Sequence, residues 1–444
     1  MTSSIIQKSK LEGQNRLDSE YYQSELIGFT EKYKNENNIR KLSKTIVHPA
    51  EIVREYSEEG ILYLLAQGVK ENQINLEQSA RMPVSVKASL KQNKIERGDV
   101  LIVRSGANYG DAGVFEGHNE DVYVCADLLI IKPEKISGEY ISTFLNTRLG
   151  KKLIKRAGYG AGQPHVAPDS IGDIIIPFSE KIQKEVINII AKASVESEKA
   201  IEGFCRAEKL LLEELGVEDF EVEDDLFFTA KLSEVKSKKR MDADYFQPKY
   251  QSLISSLKYA KKLGELVVVK KGLEPGSSTY FEEGKPFIRV SNMSKEGINA
   301  SDQKYISEEL YYKLKSDYQP KIGEVLLTKD ATPGIAYVLK EEVDGIISGG
   351  ILRLKLKEKI EPEYLALCIN SIIGKMQATR DAGGSIINHW RPEQVKNILI
   401  PILPKQIQEN IADLVRKSHE SRKKSKELLE EAKRKIEELI EKGA

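Results

Sequence analysis

The chain has 444 residues, 40% hydrophobic and 31% charged, too long for one ordinary core but apolar enough to bury two or more. Lys plus Arg and Asp plus Glu balance at 68 each, which excludes a histone-like polycation; local basic patches matter more for docking on nucleic acid. Cys125, Cys205 and Cys368 lack metal-ligand spacing, Met1–Lys8 carries no apolar signal segment, and no run approaches the ~20 apolar residues of a membrane span. A soluble protein of the reducing cytoplasm is expected.

In chain order, strand-like runs come first, at Asp99–Val103 and Leu128–Ile131, bounded by Gly, Asn, Asp and Pro. A short helix near Tyr140–Arg156, a glycine-rich turn and an Ile174-Ile175-Ile176-Pro177 strand follow. A long helix over Ser179–Leu215 closes the unit. The same order then returns, with a short helix at Tyr364–Arg380, Ile398-Leu399-Ile400-Pro401, and a long helix over Pro404–Lys442.

This return is a tandem duplication. Arg16-Leu17-Asp18-Ser19-Glu20-Tyr21-Tyr22-Gln23 recurs 224 positions on as Arg240-Met241-Asp242-Ala243-Asp244-Tyr245-Phe246-Gln247. Gly98-Asp99-Val100-Leu101 matches Gly323-Glu324-Val325-Leu326, and Glu139-Tyr140-Ile141 matches Glu363-Tyr364-Leu365. Asn146, His165, Pro168 and Ile176-Pro177 have counterparts in Asn370, His389, Pro392 and Ile400-Pro401.

Each long helix carries a seam at 3/4 spacing, apolar at the ends and small in the middle. The first runs through Ile182, Val186, Ile189, Ala193, Ala200, Gly203, Ala207 and Leu210. The second runs through Ile407, Ile411, Leu414, Ser418, Ser421, Ser425, Leu428, Ala432 and Leu439. Small residues let backbones approach, so the helices are expected to pack antiparallel. The fold class expected is α+β: two pseudo-repeated globular α/β domains, residues 1–178 and 217–403, separated by two long antiparallel helices, 179–216 and 404–444.

The layout resembles the specificity (S) subunits of type I restriction–modification systems. The likeness rests on the two Arg-Leu/Met-Asp-x-x-Tyr-Tyr/Phe openings, the Gly-Asp/Glu-Val-Leu strands, and Ile-Pro strands leading into helices bearing Gln183 and Gln406/Gln408. It implies two target-recognition domains, each reading one half of a bipartite double-stranded DNA target. It also implies spacer helices that bind two methyltransferase subunits, joined by two motor–endonuclease subunits. A helix of this length spans ~54 Å, so the modules would stand at most ~16 base pairs apart, or about one helical turn with offset docking.

A non-catalytic chain is expected. There is no Asn/Asp-Pro-Pro-aromatic motif and no phosphate-binding loop; Gly158-Tyr159-Gly160-Ala161-Gly162 precedes Gln-Pro-His rather than opening a strand–turn–helix unit. The five histidines never take zinc spacing with the cysteines. No cofactor is expected here; S-adenosylmethionine, ATP and magnesium belong on the partners. A methylation-only or other defence adaptor, and a coiled-coil scaffold without DNA recognition, are the alternatives.

Base readout needs forked donors and acceptors on loops beside rigid strands. In the first domain the candidates are Arg104, Ser105, Asn108, Tyr109, Gln163 and His165. In the second they are Arg289, Asn292, Lys329, Asp330, Thr332, Asn388, His389 and Arg391. Either histidine could equally stabilise its turn. Lys151-Lys152, Lys155-Arg156 and Lys236–Arg240 are candidate phosphate contacts, and Trp390 is expected to support the core.

Overall fold

The computed structural model describes residues 21–106, 108–159, 164–220, 224–300, 302–383 and 389–442. It divides into two compact units, Met1–Ser197 with Lys423–Ala444, and Glu198–Arg422. Both boundaries fall inside the two long helices, Glu180–Leu215 and Lys405–Lys442.

The first unit is built on an antiparallel sheet of four strands in the order Ser43–Val47, Leu128–Pro133, Val100–Val103 and Ala112–Val114. Val100, Ile102, Leu129 and Ile131 face one core with Tyr140, Phe144 and Ile154. Leu101, Val103, Leu128 and Ile130 face a second, under a small sheet of Ala80–Met82, Ile61–Leu64 and Val122–Val124. Burial on both faces explains why these strands read as unbroken apolar runs.

The second unit repeats this topology. Its four-stranded sheet runs Val267–Lys271, Ile351–Leu356, Val325–Thr328 and Ala336–Val338, and its small sheet runs Lys304–Ile306, Lys285–Ile288 and Ile346–Ile347. In both units the last two strands of the small sheet pair in parallel.

Where one short helix is expected in each half, two occur: Gly138–Asn146 with Arg148–Ala157, and Pro362–Asn370 with Ile372–Asp381. Thr147 and Ser371 break them, each accepting an amide N–H of the next helix, from Gly150 and Ile373. The second helix then runs so close to the first that a Cβ on Gly150 or Gly374 would lie 2.1 Å from the carbonyl oxygen of Phe144 or Ile369. Only glycine fits. The expected Ile-Pro strand forms fully only in the second unit, where Leu399–Pro401 pairs with Ala260–Lys262. In the first it is reduced to a bridge between Asn38 and Ile175.

Most residues that reveal the duplication hold this frame. Asn146 accepts from the Ala112 amide at 3.1 Å and donates to its carbonyl at 2.7 Å; Asn370 does the same to Ala336, at 2.9 and 2.7 Å. The Tyr140 and Tyr364 hydroxyls donate to the carbonyls of Pro177 and Pro401. Gln183 and Gln408 accept the Ser137 and Glu361 amides, tying each long helix to its helix pair.

The long helices pack antiparallel within each unit, as the seams require. In the first unit Val186 and Ile189 meet Ala432 and Ile436, and the buried Ser425 hydroxyl donates to the Ala193 carbonyl at 2.8 Å. In the second, Phe204, Ala207 and Leu211 meet Ile411 and Val415, and Ser418 donates to the Ala200 carbonyl at 2.5 Å. The serines satisfy themselves on the facing backbone, so a polar group costs little here.

Beneath the second unit's sheet lies a buried ion pair. Arg353 donates to both Glu324 oxygens at 2.7 and 2.9 Å and to the Asp317 carbonyl, with both side chains under a tenth exposed. Removing one member leaves an uncompensated buried charge. Glu324→Ala is expected to cost about 3–5 kcal/mol in urea unfolding monitored on the second unit; a loss below 1 kcal/mol would show that water already screens the pair.

Candidate DNA-recognition surfaces

In the first unit the candidates gather at the end of the Val100–Val103 strand. Chain reversal begins at Arg104, whose amide donates to the Asp127 carbonyl and whose Nε donates to the Val166 carbonyl at 3.2 Å. Ser105, itself buried, donates to Asp127 at 3.1 Å. Asn108 donates to the Val69 carbonyl and the Tyr109 hydroxyl to that of Ile154, so both side chains brace the turn. His165 pairs its backbone with Tyr159 and packs its ring beside that tyrosine, while its Nδ1 is buried without a hydrogen-bond partner. Gln163 lies outside the described residues.

The second unit assembles its candidates in the equivalent place, with different chemistry. Lys329, nearly buried, sets its ammonium 2.5 Å from one Asp330 oxygen; His389 Nδ1 stands 2.8 Å from the other. Backbone bridges join His389 to both Asp330 and Gly383, and the Trp390 amide donates to the Lys329 carbonyl. Thr332 tightens the turn, its carbonyl accepting from Thr328 Oγ1. Arg391 is exposed, its guanidinium donating to Gln394. Trp390 is fully buried in the core, as expected.

Arg289 and Asn292 approach this cluster through Gly350, where a Cβ would lie 2.7 Å from Val290 Cγ2 and 3.5 Å from Asp330 Cβ. Asn292 is wholly buried and accepts the Arg289 amide, so its side chain closes a turn instead of facing outward. Arg289 donates to the carbonyl and carboxylate of Asp302. Asn388 lies outside the described residues.

The expected phosphate contacts fare differently. Lys151 pairs with Asp111 and Glu71, Lys152 with Glu25, and Arg156 donates to Thr30 and stacks on Tyr21. Arg240 pairs with Asp242, stacks on Tyr245 and donates to the carbonyls of Arg380 and Asp381 at the end of a helix. These cations are engaged inside their own units because helix ends and neighbouring carboxylates compete for them.

Sequence reasoning passed over a loop that flanks each cluster. In the first unit Arg54 donates to Asp127 at 2.7 Å, beside the half-exposed Tyr56. In the second, Tyr280 donates to Glu274, which lies against Gly349. Gly60 and Gly284 anchor the two loops, at φ +133° and +136°, with Met82 and Ile306 carbonyl oxygens where a Cβ would stand. The pairs Tyr56/Tyr280 and Gly60/Gly284 keep the 224-residue spacing and were the available signal.

Burial by itself raises the Asp127 carboxyl, but hydrogen bonds from Arg54 and Ser105 outweigh it and hold the group below the ordinary aspartate value. A pKa lowered in the folded state contributes stability that is complete above about pH 4 and is lost as pH falls through the lowered value. Asp127→Asn should therefore destabilise the chain at neutral pH and flatten the dependence of Tm on pH below about 4. Thermal melts across that range check it; an unchanged acid slope would contradict the coupling.

Among the described residues no three His, Cys, Asp or Glu side chains gather as a metal site, and no described helix is long and apolar enough to cross a membrane. Both turns instead present donors and acceptors on a rigid sheet, an arrangement suited to binding. Residues 258–434 match the family described as the type I restriction modification DNA specificity domain. No curated protein matches the chain. Among solved structures it is similar to an S subunit of a type I restriction–modification system from M. genitalium, at 13% identity and TM-score 0.41 over 91% of this chain and 94% of that one. It is also similar to the HsdS subunit from Thermoanaerobacter tengcongensis, at 14% identity and TM-score 0.29, covering 91% and 95%. The type IIG restriction endonuclease BpuSI matches at 11% identity and TM-score 0.32, covering 45% and 35%. It is over residues 258–434 alone, within the second unit and the last long helix, that the sequence is similar to a type I restriction modification DNA specificity domain.

Proposed function

We propose that the chain is the cytoplasmic DNA-specificity subunit of a type I restriction–modification enzyme, recognising a bipartite double-stranded target through one half-site per unit. The observation that carries this is the duplicated topology. The specificity-domain match begins at residue 258, yet residues 43–157 have the same four-strand order and the same capped helix pair as 267–381. Two copies of one reader with different side chains at the turn, Arg104-Ser105 against Lys329-Asp330, fit two different half-sites. Residues 1–178 and 217–403 then act as target-recognition domains, and 179–216 and 404–444 as the helices that recruit partners. The turn residues Arg104, Asp330, Thr332, His389 and Arg391 are the proposed DNA contacts, with Ser105 and Lys329 as their buried supports and Arg54 and Tyr56 beside the first.

Selection of random duplexes with the full chain is expected to enrich two short motifs at a fixed spacing. Replacing residues 1–177 with the matching domain of a relative should change one motif and leave the other intact; a change in both, or no enrichment, argues against two modular readers.

The proposed partners are two methyltransferase subunits and two motor–endonuclease subunits, which would bring S-adenosylmethionine, ATP and magnesium; this chain itself is read as non-catalytic. Val195 and Ile201 lie half-exposed on the first long helix, off the seam. Ile201→Glu is expected to weaken capture of a co-expressed methyltransferase subunit at least tenfold, since a charge in a desolvated contact costs more than 1.4 kcal/mol. Capture unchanged by both Ile201→Glu and Val195→Glu would move the docking surface elsewhere.

A further inference from the structure

Resting on the reading of the second unit as a half-site reader, we propose that His389 is a specificity-determining residue that accepts a hydrogen bond from an exocyclic amino group, that of adenine or cytosine. The argument begins with what surrounds the imidazole. Backbone hydrogen bonds to Gly383 and the bridge to Asp330 fix its Cα, while its side chain remains 61% exposed. One face of the ring chemistry is already committed: Nδ1 stands 2.8 Å from Asp330 Oδ1. Lys329 Nζ stands 2.5 Å from the other oxygen of that carboxylate.

A carboxylate only accepts hydrogen bonds, so the neutral ring carries its proton on Nδ1. Nε2 is then left with a lone pair and no proton, on a side chain that is mostly exposed. An acceptor held at a rigid turn discriminates among base edges in the major groove. Adenine N6 and cytosine N4 donate there, whereas guanine O6 and N7 and thymine O4 only accept. The Asp330–His389 pair is thus a reader of amino groups, with Asp330 as its positioning residue. Among the described residues the first unit has no such pair. There Ser105 stands in the position of Asp330, and His165 buries its Nδ1 and packs against Tyr159. The two half-sites are therefore read by unlike chemistry.

The test is duplex selection with the full chain, run in parallel with His389→Phe and Asp330→Asn. His389→Phe keeps a ring of similar reach but removes the acceptor. One adenine- or cytosine-specific position of the second motif should become degenerate, with affinity for the original duplex falling about five- to a hundred-fold. In Asp330→Asn the Lys329 ammonium keeps the amide oxygen, which turns the NH2 toward His389 and moves the ring proton to Nε2. The same position should then shift toward guanine or thymine, a change that a merely structural role for Asp330 would not produce. Which amino base is lost separates adenine from cytosine. Recovery of the first motif by each variant reports that the chain is folded.

Loss of a guanine or thymine preference in His389→Phe, or an unchanged second motif in both variants, overturns the proposal while leaving the specificity reading in place. Failure of the unaltered chain to enrich any sequence brings down that reading and this one with it.

Discussion

In each unit one asparagine carboxamide serves both polar groups of a single edge-strand residue, Asn146 on Ala112 and Asn370 on Ala336. The strand that follows the candidate turn has only three residues and one paired neighbour. Without the asparagine the outer amide would be a buried donor lacking its partner, at a cost of about 1–3 kcal/mol; the Ala112 carbonyl also accepts from the Asn72 amide and the Ser142 hydroxyl. The helix bearing the asparagine must therefore pack at one height and one rotation. The glycines at 150 and 374 allow the second helix of the pair to close beneath it. Those contacts fix where the strand begins and hence where the turn preceding it stands.

With the turn fixed by its surroundings, the side chains on it are free to differ. A Ser105–Asp127–Arg54 network occupies the first turn; a Lys329–Asp330–His389 network occupies the second. Both tie a strand end to the segment beyond the helix pair, by Arg104 Nε on the Val166 carbonyl in the first unit and by the Trp390 amide on the Lys329 carbonyl with the Asp330–His389 bridge in the second. A rigid support and exchangeable contact chemistry are what a reader of variable sequence requires.

The long helices obey the same economy of polar groups. At their close approach, bulky side chains would separate the backbones, so Ala193, Ala200, Gly203, Ser418 and Ser425 stand there. Each buried serine hydroxyl finds a carbonyl on the facing helix. Larger residues return toward the helix ends, where Val186 with Ile436 and Leu211 with Ile411 join the cores of their own units.

The amino-acid sequence by itself determined the duplication, the two long helices to within a residue of each end and their seams. These features are written in spacing and periodicity, which survive in one dimension. Tertiary structure alone decided which polar residues face outward. Asn292, an attractive reader on paper, is buried closing a turn; Lys151 and Lys152 pair with carboxylates brought beside them by folding. Arg54 lies 73 positions from Asp127 and meets it only because a loop folds across the sheet. Spacing along the chain reports repetition and period, but hydrogen-bond partners distant in sequence are chosen by packing.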